Sequence, residues 1–194
     1  MTVMTTKKST GAKTSNSINS LPPNPFMFEI LNLVSKQRSN SKKAEVLKLY
    51  DDPSLKTILI WNFDESVISL LPEGEVPYAS TSEQTSYSGT LTEKIEDAVS
   101  KMDELSSNSL GSSDQGRSSI RKEYRMFYNF VKGGNDGLSS LRRETMFINI
   151  LQGLHPLEAE ILCLVKDKKL QTKYKITHDN VKEAYPDIVW GNRS

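Results

Sequence analysis

The stretch WNFDESVISLLPEGEVPY, residues 61–78, decides the fold of this chain. Its first half continues an apolar pattern with helical spacing, and Asp64 is the N-cap that we predict for a short fourth helix. Its second half encloses a glycine between two prolines, which argues against regular structure. We interpret residues 72–78 as an ordered loop whose Val76 and Tyr78 fold back on the core. A short binding loop is the alternative, and nothing in the stretch resembles catalytic equipment.

The same helical spacing of apolar residues recurs along most of the chain. No run of alternating polar and apolar residues is long enough to indicate a sheet. We therefore predict an all-α fold, a compact bundle of about seven or eight short helices. The predicted caps and first helical residues are Asn24 with Pro25, Asp52 with Pro53, Ser139 or Ser140, His155 with Pro156, and Thr177.

Composition divides the chain into three parts. Residues 1–23 are rich in Ser, Thr and Lys and contain no acidic residue, which predicts a disordered, weakly basic N-terminal arm. Residues 79–119 contain two polar linkers around one marginal helix at 92–105, and we interpret them as an inserted polar segment. Residues 24–78 and 120–190 together are predicted to form a single helical domain.

Charge and hydropathy exclude some partners for the chain as a whole. Its 25 Lys and Arg residues balance 24 Asp and Glu residues to a net charge of +1, so electrostatic binding must come from local patches. No apolar run approaches the ~18–20 residues that a membrane span requires. No apolar segment follows the N-terminal lysines as in a secretory signal, and we expect an intracellular protein without membrane contact.

Residues that often carry catalysis or bind metals are few. Cys163 lies in an apolar run, where a buried core thiol is the expected state. His155 and His178 are predicted at helix starts, His178 as an exposed first-turn residue, and two histidines alone do not make a zinc site. The acidic pairs 51–52 and 64–65 stand where we predict helix starts, so capping explains them. We expect no enzymatic activity, no metal and no cofactor.

A hydrolase or nuclease is the remaining enzymatic hypothesis. It would require a structure that brings Asp64, Glu144 or Glu158 together around an open cleft.

Lysines concentrate near the end of the chain. The segment KDKKLQTKYK, residues 166–175, holds five lysines against one aspartate, and such a segment can bind a phosphate backbone. A solvated helix end followed by a loop is the simpler interpretation, and further basic clusters lie at 117–125 and 142–143. The candidate nucleic-acid contacts are Lys166, Lys168, Lys169, Lys173, Tyr174 and Lys175. The candidate protein contacts, all from the stretch 61–78, are Trp61, Pro72, Glu73, Pro77 and Tyr78.

Short motifs occur in an order that resembles a known family. They are NPF (24–26), EIL (29–31), DPSLK (52–56), FD (63–64), LLPEG (70–74), PY (77–78), FVKGG (130–134), RE (143–144), FI (147–148), LHP (154–156), EAE (158–160), KL (169–170) and EAYP (183–186). The chain is similar to a family of short uncharacterised proteins encoded by tailed, myovirus-type phages of marine bacteria and cyanobacteria. The resemblance covers 24–78 and 120–188, and the arm and residues 79–119 depart from it. Since the family has no assigned activity, it implies no catalytic residues.

The resemblance implies a function in phage infection. We expect a non-enzymatic phage accessory protein that acts through protein–protein contacts, in the cytoplasm of the infected bacterial host. Its partner would be a phage or host protein of the replication or transcription machinery, or it would be a minor virion component. The alternative is a nucleic-acid-binding accessory protein that uses residues 166–175 and the basic arm.

Overall fold

The computed structural model describes residue 18 and residues 21–79, 88–90, 93 and 118–194. Helices make up nearly all of the regular secondary structure in this part of the chain, and the predicted all-α class is confirmed. The α-helices are α1 (Met27–Lys36), α2 (Asn40–Leu49), α3 (Pro53–Phe63), α4 (Ile120–Glu123), α5 (Ser140–Gly153), α6 (Pro156–Lys166), α7 (Leu170–Lys173) and α8 (His178–Ala184), and a 3₁₀ helix (Tyr124–Phe130) continues α4. In the described ranges, no helix has the length and hydropathy needed to cross a bilayer.

One short ribbon accompanies the helices. Strand β1 (Pro77–Ala79) pairs antiparallel with strand β2 (Ser88–Thr90), with Tyr78 opposite Gly89. The prediction of irregular structure throughout residues 72–78 is therefore wrong for its last two residues. The partner strand begins eleven residues after the start of β1 and shows no alternating pattern, so periodicity cannot reveal the pairing.

The core is one cluster of apolar side chains drawn from both predicted parts of the helical domain. α1 contributes its broad apolar face because its apolar residues recur at spacings of three and four. α8 packs along α2, and the Tyr185 hydroxyl donates to the carbonyl of Leu47. Val76, as predicted, packs against this core.

Four of the predicted helix starts are confirmed by their hydrogen bonds. The cap of α6 is a ring nitrogen, the Nδ1 atom of His155, which accepts from the backbone of Leu157 at 3.1 Å. α8 has a reciprocal cap, because Thr177 and Asn180 each accept from the other's backbone N–H. The other two caps are Asp52 for α3 and Ser139 for α5.

The predicted start of α1 is wrong. The helix begins at Met27, and Asn24 lies outside it with a left-handed φ of 54°. The Glu29 carboxylate accepts from the backbone N–H of Phe26 at 2.8 Å, so an acceptor within the first turn satisfies the helix entry.

The predicted fourth helix after Asp64 is also absent. Asp64 instead follows the last residue of α3, and Ser69 pairs with Val131 in an isolated antiparallel bridge. Around this bridge the N–H of Leu70 donates to the carbonyl of Phe130 at 2.8 Å. Pairing with a segment 60 residues away thus replaces a local helix.

Part of the predicted arm belongs to the packed structure. The Tyr50 hydroxyl donates to the carbonyl of Ile18 at 2.8 Å and accepts from the N–H of Leu21 at 3.3 Å. Both apolar residues pack against the core. Residues 1–17, 19 and 20 of the predicted disordered arm and nearly all of the helix predicted at 92–105 lie outside the described residues.

Candidate nucleic-acid interface

The lysine-rich segment 166–175 does not present all its cations to solvent. The Lys166 side chain is only 1% exposed. Its ammonium donates to the carbonyls of Pro72 and Gly74 at 2.8 and 2.9 Å and pairs with Asp167. This lysine therefore holds the loop that follows Leu71 against the end of α6 and cannot reach an external ligand.

Lys168 also turns inward. Its backbone has a left-handed φ of 56°, and its ammonium donates to the carbonyls of Trp61 and Asp64 at 2.7 and 2.8 Å. These carbonyls lie at the C-terminal end of α3, where a cation is favourable. Burial lowers the pKa of Lys168, and nearby carboxylates partly offset this effect. The side chain is a helix cap.

The aromatic residue of the segment is buried. Tyr174 is 1% exposed, and burial raises the pKa of its hydroxyl. It belongs to the core cluster and offers no ring face on which a base could stack. Of the six candidate nucleic-acid contacts, only Lys169, Lys173 and Lys175 remain exposed.

The exposed end of this segment lies against the connection between α1 and α2. The backbone N–H of Lys175 donates to the Ser35 hydroxyl at 3.3 Å, and the carbonyl of Lys175 accepts from the Lys43 ammonium. Segments 140 residues apart in the chain are thereby brought together.

The α1–α2 connection is itself basic. Between residues 30 and 44 the chain has four cations and no carboxylate. Since contacts with Lys175 join this connection to the end of the lysine segment, the cations of both form one region. We define the basic surface as Lys36, Arg38, Lys42, Lys43, Lys173 and Lys175.

Most cations of the basic surface form no ion pair with a described residue. Lys173 pairs with Glu160 of α6. In the parts of the chain that the structure describes, Lys36, Arg38, Lys42 and Lys175 form ion pairs with no carboxylate. Sequence reasoning missed the α1–α2 half of this surface, although the acid-free run at 30–44 is visible in the sequence.

The candidate protein contacts differ in how exposed they are. Trp61 is 2% exposed, and its indole N–H donates to the Ser69 hydroxyl at 2.8 Å, so it is a core residue. Pro72 and Glu73 are exposed. The side chains of Pro77 and Tyr78 lie outside the described part of the structure.

The three carboxylates of the hydrolase hypothesis have different neighbours. Asp64 accepts from Ser66, Gly191 and Arg193. Glu158 is fully buried against the starts of α1 and α4.

Glu144 lines a cavity of about 90 Å³ whose other walls are mostly apolar. Neither Asp64 nor Glu158 lines this cavity. The arrangement that the hydrolase hypothesis requires is not formed by these residues.

The cysteine and histidines are held in packed surroundings. Burial raises the pKa of the half-buried Cys163 thiol to about 12, which leaves it protonated near neutral pH. His155 stacks on Phe28 with ring centroids 4.8 Å apart.

His178 was predicted to be exposed but is half-buried. Its ring lies against Phe63 at 5.8 Å and Trp190 at 4.2 Å between centroids. The contact with Trp190 depends on the C-terminal segment and could not be foreseen from helix position. Within the described ranges, no three His, Cys, Asp or Glu residues are grouped as metal ligands.

Comparisons with known proteins identify one family. The model of a family of unknown function, DUF6433, matches residues 30–104 and 105–172. The matched ranges include residues 79–119, which we interpret from the sequence as an insertion. No curated protein and no solved structure matches the chain.

Proposed function

Because this chain belongs to the DUF6433 family of unknown function, whose description supplies no activity, we propose a function from its surface chemistry. The protein is a non-enzymatic accessory protein that binds nucleic acid through the basic surface. The resemblance of its motifs to phage-encoded proteins supports a setting in phage infection, in the cytoplasm of the bacterial host.

The observation that carries this proposal is the convergence of two basic segments. Lys175 is hydrogen-bonded to Ser35 at the end of α1 and to Lys43 in the first turns of α2. The acid-free run at 30–44 and the end of the lysine segment, which are distant in sequence, therefore share one face. Folding a cationic face costs self-repulsion, which a polyanionic ligand would relieve.

Phosphate is the chemical group that this face fits. Lysine ammonium groups act as point charges toward phosphate oxygens, and each phosphate that they neutralise releases condensed counterions. Binding should therefore weaken steeply as salt concentration rises.

The test is a charge-matched pair of triple variants. The first carries K36Q, K42Q and K175Q on the basic surface, and the second carries K122Q, K132Q and R142Q at other exposed positions. Both lose the same net charge, so they differ only in where the charge is removed. Affinity for fluorescent DNA and RNA is measured by anisotropy at several salt concentrations, and thermal melting monitors the fold.

We expect the first triple to reduce affinity by at least about tenfold and to lower the salt dependence by roughly two to three released counterions. The second triple should stay within about twofold of the unmodified protein. Equal losses in both variants would show attraction to net charge alone and would end the proposal.

Neutralising Lys168, which the sequence alone suggests as a nucleic-acid contact, would be a poor test. Replacing Lys168 removes the cap of two carbonyls at the end of α3. The resulting loss of stability would be mistaken for a loss of binding.

Protein–protein contact is the second candidate function. Three large apolar side chains are exposed on the 3₁₀ helix and α5, which contact each other: Met126 at 40%, Tyr128 at 51% and Leu141 at 77%. Tyrosine and methionine at an exposed position are typical of interface cores. A phage or host protein, or a neighbouring virion component, would be the partner.

A pull-down from infected cells tests the second candidate. Tagged protein is recovered with and without nuclease treatment, beside a variant with Y128S and L141S. Partners that survive nuclease and vanish in the variant would support protein contact. Loss of every partner after nuclease would favour nucleic-acid binding.

A further inference from the structure

We infer that the basic surface binds the phosphate backbone of double-stranded nucleic acid without selecting a sequence. This inference rests on the proposed function and specifies its ligand. Three features of the surface carry it: its aromatic content, its rigidity and the type of its cations.

The first feature is the placement of aromatic rings. Proteins that bind single strands combine cations with exposed aromatic side chains on which the unpaired bases stack. In the two basic runs, residues 30–44 and 168–178, the only Phe, Tyr or Trp is Tyr174. Since that ring is buried in the core, these two runs offer no exposed ring on which an unpaired base could stack.

The second feature is that the cations stand on fixed backbone. Lys36 ends α1, Lys42 and Lys43 lie in the first turns of α2, and the Lys175 backbone is bonded to Ser35. Duplex phosphates form a rigid array, and cations on a fixed backbone lose only side-chain freedom when they bind it.

The start of α2 adds neutral donors to this array. The Ser39 hydroxyl caps the helix by accepting from Lys42. The preceding N–H groups of Asn40 and Ser41 donate to no acceptor in the described part of the chain, and they lie between Arg38 and Lys42. Backbone N–H groups at a helix start are suited to phosphate oxygens.

The third feature is the type of cation. Five of the six cations that define the basic surface are lysines, and one is Arg38. Specific base contacts are made most often by arginine, which donates two parallel hydrogen bonds to guanine. A surface of point charges with a single arginine binds phosphates and distinguishes base pairs weakly.

The experiment compares duplexes with single strands for the full chain. Two 20-base-pair DNA duplexes of unrelated sequence and the four strands that compose them are labelled, and anisotropy is measured from low to moderate salt. The triple variant with K36Q, K42Q and K175Q is measured in parallel.

We expect both duplexes to bind with affinities within about twofold of each other and roughly tenfold tighter than any single strand. Four unpaired cations predict a slope of log affinity against log salt of about −4 for a duplex. The triple variant should flatten this slope by about 2 to 3.

Other outcomes separate the two proposals. Tighter binding to single strands, or a strong preference for one duplex, would overturn this inference and leave nucleic-acid binding in place. Absence of binding to every DNA duplex and strand would overturn this inference, and absence of binding to the RNA probes as well would overturn the proposed function.

Discussion

Glu158 is a fully buried carboxylate that joins three helices. Its two oxygens accept from the backbone N–H of Met27 at the start of α1 and of Ile120 at the start of α4, each at 3.1 Å. Burial raises the pKa of this group, and the two N–H donors and Arg121 partly offset the rise. The side chain thus fixes the ends of two helices that are far apart in sequence.

Replacing Glu158 with alanine should be strongly destabilising. Two buried N–H groups would lose their acceptor, at about 1–3 kcal/mol each. Glu160 offers a matched control on the same helix, because its carboxylate is more exposed and its ion-pair partner among the described residues is Lys173. In urea unfolding we expect E160A to cost less than about 1 kcal/mol. Equal losses for E158A and E160A would refute the bridging role.

The pKa of Asp64 is shifted in the opposite direction to that of Glu158, and we expect a pH dependence of stability from it. Burial alone would raise its pKa, but donors from Ser66, Gly191 and Arg193 outweigh burial and hold the pKa below its usual value of 3.8. A carboxyl whose folded pKa is lowered stabilises the fold above its unfolded pKa. That contribution is lost as pH falls through the folded value.

The D64N variant should therefore be less stable at pH 7 by about 1–3 kcal/mol, because charge-assisted hydrogen bonds are weakened. Below pH 3.8 its stability should fall less steeply than that of the unmodified protein. Urea unfolding at pH 7, 4 and 2.5 measures both effects, with D187N as the exposed control. Parallel curves for D64N and the unmodified protein would contradict this assignment.

Single lysines show what sequence cannot supply. Lys166 and Lys168 look like members of a solvated basic segment, yet both ammonium groups bind backbone carbonyls of the 61–74 region. Their direction is set by segments about a hundred residues earlier in the chain. No local sequence pattern encodes the contacts of these two ammonium groups with backbone carbonyls. The acid-free run at 30–44, by contrast, can be found by counting charged residues in the sequence.

At the scale of elements, the turn between the 3₁₀ helix and α5 is closely packed. A Cβ atom on Gly134 would lie 1.8 Å from the carbonyl oxygen of Tyr128, whereas one on Gly137 would meet nothing within 4 Å. The buried Arg143 braces the same turn by donating to the carbonyls of Asn129, Asn135 and Leu138. The turn therefore has no room to move away from an added methyl group.

The two glycines predict opposite outcomes for the same substitution. G134A should destabilise the protein by at least about 2 kcal/mol, because backbone must shift to relieve the overlap. G137A should be neutral or stabilising by up to about 1 kcal/mol, since it restricts the unfolded chain. Thermal melting of both variants compares them, and similar melting temperatures would contradict the close approach.

At the scale of elements, helix starts were predictable where the residue that precedes a helical pattern of apolar residues also caps the helix. Asp52, Ser139, His155 and Thr177 satisfy N–H groups within their own turns, so local chemistry decides them. Asp64 has the same local chemistry and failed as a cap. Its following residues gain hydrogen bonds to the segment 130–132, and this tertiary pairing outweighs helix propensity.

For the whole molecule, the helical class was predictable because helical periodicity repeats in most of the packed segments. The contacts between the N-terminal and C-terminal parts of the chain were not predictable. Backbone of Met27 and Leu47 is bonded to side chains more than 130 residues later, and Ser35 to Lys175. Half of the candidate interface arises from such contacts.

These long-range contacts predict that residues 1–153 alone are not a folding unit. A fragment of residues 1–153 lacks α6 to α8, and with them the partners of Met27, Ser35 and Leu47. We expect it to show no cooperative urea transition, whereas the full chain unfolds in one step. Circular dichroism measures both, and a cooperative transition in the fragment would contradict the prediction.

The hydrogen bonds that Asp64 accepts from Gly191 and Arg193 can form only late in synthesis. Ribosomes add about 5–20 residues per second, so α1 to α3 wait on the order of ten seconds for the last segment. Until α6 and α8 are synthesised, the apolar faces of α1 to α3 that pack against them are uncovered. The nascent chain is then a client for chaperones, and slowed translation of the second half would lengthen its exposure to aggregation and proteolysis.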